Sequence, residues 1–220
     1  MALILNIDTS IENASVCIAE DDKPIAVANR EGRQDHAAWL HVAIQDLLNQ
    51  NKIATGTLAA VAVSIGPGSY TGLRLGLSTA KGLCYALGIP LLTISSLKMV
   101  AYASSAYDTE LICPLIDARR MEVFTAVYDR KYKALLKPQA LVIDSNSFSG
   151  LLSQHTITFC GNAIQKLQSL ITHPHALFSR ADSNATHLAY FAFQDFLHKN
   201  FADLAYVEPE YLKEFYFNSH

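Results

Sequence analysis

The stretch GPGSYTGLRLGLSTAKGLCYALG, residues 66–88, decides how the chain reads. It follows LAAVAVSI at residues 58–65, a continuous apolar run of strand length, which points to a strand covered on both faces. A helical pattern then runs to about residue 87, Gly88-Ile89-Pro90 ends it, and a new strand begins at Leu91. Strand, glycine turn, helix and strand make a β-α-β unit and place the chain in the α/β class.

Glycine inside a helix costs about 1 kcal/mol relative to alanine. Gly72, Gly76 and Gly82 nevertheless all fall within this helical pattern. Gly72, Gly76, Ala80 and Cys84 recur every fourth position, a strip of small residues along which another backbone can approach closely. The other faces carry Leu73, Leu75, Leu77, Leu83, Tyr85 and Leu87, so the helix reads as apolar almost all round and buried in a core or an interface. The competing reading is an anion site, because glycines ahead of a helix N-terminus expose amides that favour phosphate. The segment departs from GxxxxGK[ST], since Lys81 lies deep in the helix, and its glycines are not spaced as GxGxxG.

Upstream, short apolar stretches at 3–7, 15–19 and 24–28, separated by polar turns, predict an antiparallel meander. Asp8-Thr9-Ser10 ends the first of them, as a common polar turn or as a phosphate-facing hairpin. A helix follows over 36–51, with Asp35 as N-cap and Leu40, Ile44, Leu47 and Leu48 as its core stripe. Trp39, Val42 and Ala43 form a second apolar strip, more than one core contact requires. Downstream the pattern predicts a helix over 96–105, strands at 111–116 and 122–128, and helices near 163–170 and 185–199. No internal repeat is evident, and a soft boundary near residue 105 divides the chain into lobes 1–105 and 106–220.

Half of the 220 residues are hydrophobic, enough for a substantial core without disulfides. Cys17, Cys84, Cys113 and Cys160 are far apart and read as buried thiols of a reduced compartment. The N-terminus, MALILNIDTS, has no basic region and reaches an aspartate at position 8, so it reads as neither signal peptide nor membrane span. A cytoplasmic protein with no membrane partner is expected. With 17 basic against 20 acidic residues and no basic run, the chain is not built to grip RNA mainly through its own phosphate contacts. Nor do the histidines suggest a metal site: His36 and His41 lie about 140° apart round a helix, and His173-Pro174-His175 has no carboxylate partner nearby in sequence.

The motifs ILNIDTS at 4–10, GRQDHA at 32–37, GPGSYTGLRLGLSTAKGLCYALGIPL at 66–91 and IDARRMEVFTAVYD at 116–129 together resemble the TsaB (YeaZ) family in order and spacing. About the first 130 residues carry the likeness, and EPEYL at 208–212 resembles the family's closing segment. The resemblance implies an actin-like (ASKHA) fold of two ribonuclease-H-like lobes. It also implies a non-catalytic role in making threonylcarbamoyladenosine on tRNAs that read codons beginning with A. In that pathway the related TsaD holds the metal and transfers the group, the ATPase TsaE assists, and tRNA is reached through the complex. The catalytic relative carries a pattern like PLxxVxHLxGH; aligning Pro90-Leu91 with it puts Ser96 and Val100 where its metal-binding histidines stand, and neither can replace imidazole.

From these observations the helices 36–51 and 70–87 are expected to form the TsaD-binding face, through Trp39, Val42, Ala43, Gly72, Gly76 and Ala80. The same face would pair two copies as a homodimer in isolation. No tightly bound cofactor is expected. Asp8, Gly66, Gly68, Thr71 and Arg74 are the candidates for residual phosphate contact with ATP or ADP at an interface. Two enzyme readings stand beside this one. A small-molecule kinase of the same fold class would use Asp8 and Asp117 for magnesium and Arg119 and Arg120 for phosphate. A glycoprotease-type peptidase would need a nucleophile setting, but HExxH and GxSxG are absent and Ser69 has no assigned base.

Overall fold

The computed structural model describes residues 1–30 and 36–213. Asp35, the expected N-cap, and positions 32–34 of the GRQDHA motif lie outside the described residues.

β1 (Leu3–Asp8), β2 (Ala14–Glu20) and β3 (Lys23–Arg30) form the expected antiparallel meander. On the other side of β1, β4 (Ala60–Gly66) and β5 (Leu91–Ser95) add in parallel, giving the order β3-β2-β1-β4-β5. Two helices supply the crossovers, α1 (His36–Gln50) before β4 and α2 (Tyr70–Leu87) between β4 and β5. β4 starts two residues later than the apolar run suggests, because Leu58 closes a 3-10 turn over Thr55–Thr57.

Side chains alternate across a strand, and both faces of this sheet are covered. Leu5, Ile7, Val61 and Val63 pack with Leu40, Ile44, Leu47, Leu77 and Ala80 of α1 and α2. Ile4, Ala60, Ala62 and Leu92 face the other way, onto Ala192, Phe193 and Phe196 of the C-terminal helix Ala189–Leu197. That covering of both sides is why the central strands read as unbroken apolar runs.

The second sheet repeats the plan. β6 (Leu111–Asp117), β7 (Glu122–Asp129) and β8 (Ala134–Val142) form a meander, and β9 (Ile157–Cys160) and β10 (Ala176–Phe178) add in parallel beside β6, in the order β10-β9-β6-β7-β8. Two meander-plus-parallel units of this kind are the paired ribonuclease-H-like lobes of an actin-like α/β fold. The sequence showed no repeat, yet the topology duplicates, and it makes Asp8 and Asp117 equivalent: each is the last residue of its unit's first strand. α3 (Ser96–Ala103) lies where the units meet, packing Leu97, Met99 and Val100 with Ile112, Ile116 and Tyr128. The short helices α4 (Ser149–Leu152) and α5 (Ile164–Gln168) serve the second sheet; the C-terminal helix above is α6. Among the described residues no helix is long and apolar enough to cross a membrane.

Candidate functional site

β1, β4 and β5 are parallel, so their carboxyl ends open on one edge, where open α/β sheets place ligands. Asp8 stands there, wholly buried. One carboxylate oxygen, Oδ1, accepts from the Ser10 amide (3.0 Å), the Ser10 hydroxyl (2.6 Å) and the Ser64 hydroxyl (2.5 Å). Its other oxygen, Oδ2, is buried without a hydrogen-bond partner, as is Ser96 Oγ at the start of α3. Burial holds the Asp8 carboxyl above the usual carboxylate range, while the Ser10 and Ser64 hydrogen bonds pull it partway back. His187, which lies close enough to affect Asp8, is pushed below the usual imidazole range by its own burial. It completes a capping box with Asn184.

The glycine segment resolves into contacts with this same corner. Ser69 caps α2, its hydroxyl accepting from the Gly72 amide at 3.3 Å, and its own amide donates to the Ser10 carbonyl at 2.7 Å. A Cβ at Gly72 would fall 1.9 Å from the Thr9 carbonyl, one at Gly68 2.2 Å from the Ser10 carbonyl, and one at Gly76 2.4 Å from Thr9 Oγ1. The Thr9 hydroxyl donates to the Gly72 carbonyl at 2.7 Å. The backbone that needs the missing side chains is therefore this chain's own turn after β1. Gly72, Gly76 and Ala80, and Ala43 on α1, expected at the partner interface, are buried inside the chain, and that expectation is corrected for these four. Gly82 differs, with open space where its Cβ would stand.

α2 also departs from the expected all-round burial. Leu73 and Leu77 are in the core, Leu75, Leu83 and Leu87 are half-buried, and Tyr85 is 83% exposed. Beside it on α1, Ala43 is buried, Trp39 half-buried and Val42 54% exposed. Between these helices lies an open groove of about 260 Å³, lined by Ile44, Leu48, His41, Gln45, Leu58 and Leu83 among others. Val42 and Tyr85 are not among the residues that line it, but exposed apolar side chains of this kind are suited to covering by another protein surface.

The closing segment was the least legible part and proves central. After α6 the chain runs without regular structure along α2. The Lys81 ammonium donates to the Ala205 and Val207 carbonyls (3.4 and 3.3 Å), Arg74 Nε donates to the Tyr211 hydroxyl (3.0 Å), and the Tyr211 ring packs tilted by 32° against Tyr70 with ring centres 5.0 Å apart. Arg74 also lies 3.7 Å over the Tyr70 ring. The Glu210 amide donates to the Ile65 carbonyl at 2.7 Å, and a Cβ at Gly66, whose φ is +129°, would fall 2.4 Å from the Glu210 carbonyl. Lys213 pairs with Glu122 on the second sheet.

Of the five phosphate candidates, Asp8 is internal, Gly66 and Gly68 lie against backbone, Thr71 is exposed, and Arg74 is engaged by Tyr70 and Tyr211. In the second unit, Asp117 is exposed and bound by the Lys166 ammonium (2.6 Å) and the Arg119 amide (2.6 Å); Arg119 and Arg120 take φ of +69° and +49° in the tight turn to β7. Ser96 and Val100 are buried on α3. Among the described residues no cluster of three His, Cys, Asp or Glu side chains could hold a metal ion. Tyr85, His187, Glu210 and Tyr211 were missed by the sequence reading; only EPEYL pointed to the last two.

The family model described as "TsaD: tRNA N6-adenosine threonylcarbamoyltransferase" matches residues 27–214. The tRNA threonylcarbamoyladenosine biosynthesis protein TsaB of Bacillus subtilis is 38% identical over 128 residues, which are 58% of this chain and 56% of that protein. Its namesake in Escherichia coli is 30% identical over 157 residues, 67% of this chain and 68% of the relative. In sequence the chain thus spans little more than half of the first of these relatives. The solved structure of YeaZ from Pseudomonas aeruginosa superposes with a TM-score of 0.81 at 23% identity, covering 96% of this chain and all of that one, and so shares its fold.

Proposed function

The chain belongs to the TsaB (YeaZ) family, related to TsaD, and from that premise we propose that it is a non-catalytic partner in threonylcarbamoyladenosine biosynthesis. It binds TsaD, acts together with TsaE, and is required for threonylcarbamoyl transfer to adenosine of tRNAs reading codons that begin with A. The tRNA is reached through the complex, in the cytoplasm. Alone, the protein pairs with a second copy through the same face.

The observation that carries this reading is the outward side of α1 and α2, which leaves Val42 and Tyr85 exposed in addition to an open groove lined by α1 residues and by Leu83 of α2. A second observation supports the absence of catalysis: Ser96 and Val100, at the positions of the relative's metal-binding histidines, are core residues here. The phosphate candidates that stay on the surface, Thr71 and Arg74, are the ones available to ATP or ADP at an interface.

The test is threonylcarbamoyl transfer to tRNA in a mixture of TsaD, TsaE and the threonylcarbamoyl-adenylate synthase, with and without this protein. Modification that depends on adding it, with no ATP turnover by the protein alone, is the expected result. Equal modification without it refutes the role. ATP turnover by the isolated chain, lost in Asp8→Ala, would replace it with the kinase reading.

A further inference from the structure

The two units are joined in two ways that differ in kind. At one junction α3 and α6 bury an apolar cluster with the second sheet, in which Leu97, Val100 and Phe191 pack with Ile112 and Ile116. Close-packed side chains of this sort hold together as a block. At the other, the chain after α6 runs along α2 and crosses to the second sheet, with neither helix nor strand over residues 207–213. Its fixings on the first unit are several: the Lys81 ammonium on the Ala205 and Val207 carbonyls, the Glu210 amide on the Ile65 carbonyl, and Tyr211 on Arg74 and Tyr70. On the second unit it is held by Lys213, whose ammonium pairs with Glu122. Glu122 is itself firmly placed. Its amide donates to the Arg119 carbonyl at 3.1 Å, and its carbonyl accepts from the Ala118 amide and the Lys166 ammonium, so Lys213 grips the turn that joins β6 to β7.

We propose that residues 207–213 are a clasp between the two units, which travels with the first and lets go of the second at the Lys213–Glu122 pair, freeing the units to swing about the α3 junction. The unequal fixings decide where the clasp opens. Parting the segment from the first unit means breaking main-chain hydrogen bonds and a ring contact, whereas parting it from the second means breaking one ion pair. That pair is within reach of water: its side chains are 36% and 20% exposed, so it can open without unfolding either sheet, and salt weakens it. Units joined by a limited contact move relative to one another unless something ties them, and a hinge with a tie at a second place gives two arrangements rather than a continuum. This inference goes beyond the assembly role, and its test uses the isolated chain without tRNA or TsaD.

The experiment measures the distance between the units by pulsed electron paramagnetic resonance. The four native thiols are buried, so cysteines introduced as Ser78→Cys on α2 and Lys137→Cys on β8, both exposed positions, take spin labels selectively. Labelled chain is diluted into unlabelled chain, so that a self-paired copy adds no signal. The expected result is a single narrow distance in the labelled parent and a distribution at least 2-fold broader when Lys213→Ala is added. The charge swap Glu122→Lys/Lys213→Glu should return the parent's width. A distribution left unchanged by Lys213→Ala overturns the proposal, and so does a broadening that the swap does not reverse. A second label pair inside the first unit, Ser78→Cys with Lys23→Cys, should keep its width throughout; broadening there as well would mean local unfolding rather than a swing, and would equally overturn it. Should Lys213→Ala fail to fold, raising sodium chloride to about 1 M, where the screening length falls to about 3 Å, loosens the same pair in the labelled parent, and an unbroadened distance there refutes the clasp.

Discussion

Replacing Gly72 and Gly82 by alanine, one at a time, applies the same chemical change to one helix at two sites that the structure treats oppositely. A methyl at 72 lands 1.9 Å from the Thr9 carbonyl and 3.3 Å from the Ser69 Cβ, so α2 and the turn after β1 must separate by roughly an ångström or more. Overpacking of this kind costs about 1–3 kcal/mol. The separation also stretches the buried Thr9 to Gly72 hydrogen bond, worth about 1 kcal/mol. Against this stands about 1 kcal/mol of helix propensity gained on leaving glycine. The net expectation is a loss of about 2 kcal/mol, or a melting temperature lower by about 4–8 °C for a chain of this size. At Gly82 nothing stands within 4 Å of the added carbon, so only the propensity gain remains. That variant should gain up to about 1 kcal/mol. Urea denaturation followed by circular dichroism measures both. Changes of the same sign, or a Gly72→Ala within about 0.5 kcal/mol of the parent, refute the claim that the small-residue strip serves this chain's own turn.

Other consequences can be checked singly. Asp8→Ala removes the acceptor of two hydroxyls and an amide and should cost about 3 kcal/mol or more, read by the same denaturation. Asp8→Asn tests the charge: a carboxyl held above its unfolded value of 3.8 stabilises the fold fully below that pH and loses this contribution as pH rises through the raised value. The stability of Asp8→Asn relative to the parent should therefore climb from pH 4 upward, and a flat difference would contradict the burial penalty. Val42→Asp should leave stability nearly unchanged but weaken TsaD binding by a factor of about 10 or more, whereas Lys133→Ala should not alter it; surface plasmon resonance distinguishes them. Burial pushes the thiols of Cys17 and Cys160 up to about 12 and that of Cys84 to about 11, and raises Cys113 as well. A disulfide reagent at neutral pH should therefore titrate no thiol quickly in the native protein and all four after denaturation.

The first sheet was legible because its signals are local and strong. Its three opening strands alternate with polar turns, β4 and β5 flank a glycine-punctuated helix, and Gly88 takes the left-handed conformation that closes α2. The second sheet was half-legible. β6 and β7 are long enough to show their apolar content, but β9 and β10 span four and three residues, too few for any period. β8 hides because Lys137-Pro138 interrupts it, and its place at the sheet edge is what lets it hold a proline. The duplication of the two units lies in pairing order, and in residue identity its trace at the equivalent strand ends is as short as Ile7-Asp8 against Ile116-Asp117.

The glycine segment shows why a site is harder to read than a fold. Its missing side chains announce that a backbone comes close, and they are silent on which backbone. Three candidates were compatible with the spacing: a partner's helix, a phosphate and the chain itself. The structure assigns Gly68 and Gly72 to the turn after β1 and Gly66 to the Glu210 carbonyl, 144 residues away in sequence. That last contact is the most distant in sequence and rests on main-chain atoms, whose positions no side-chain pattern encodes. It follows that the outward face of α2 must be judged on what the inner contacts leave over. What remains there is Tyr85, Gly82 and the half-buried leucines. On the same helix Lys81 holds the Ala205 and Val207 carbonyls, so Lys81→Ala should release that backbone from α2, read as faster amide exchange in the residues after α6 with the helix itself still protected.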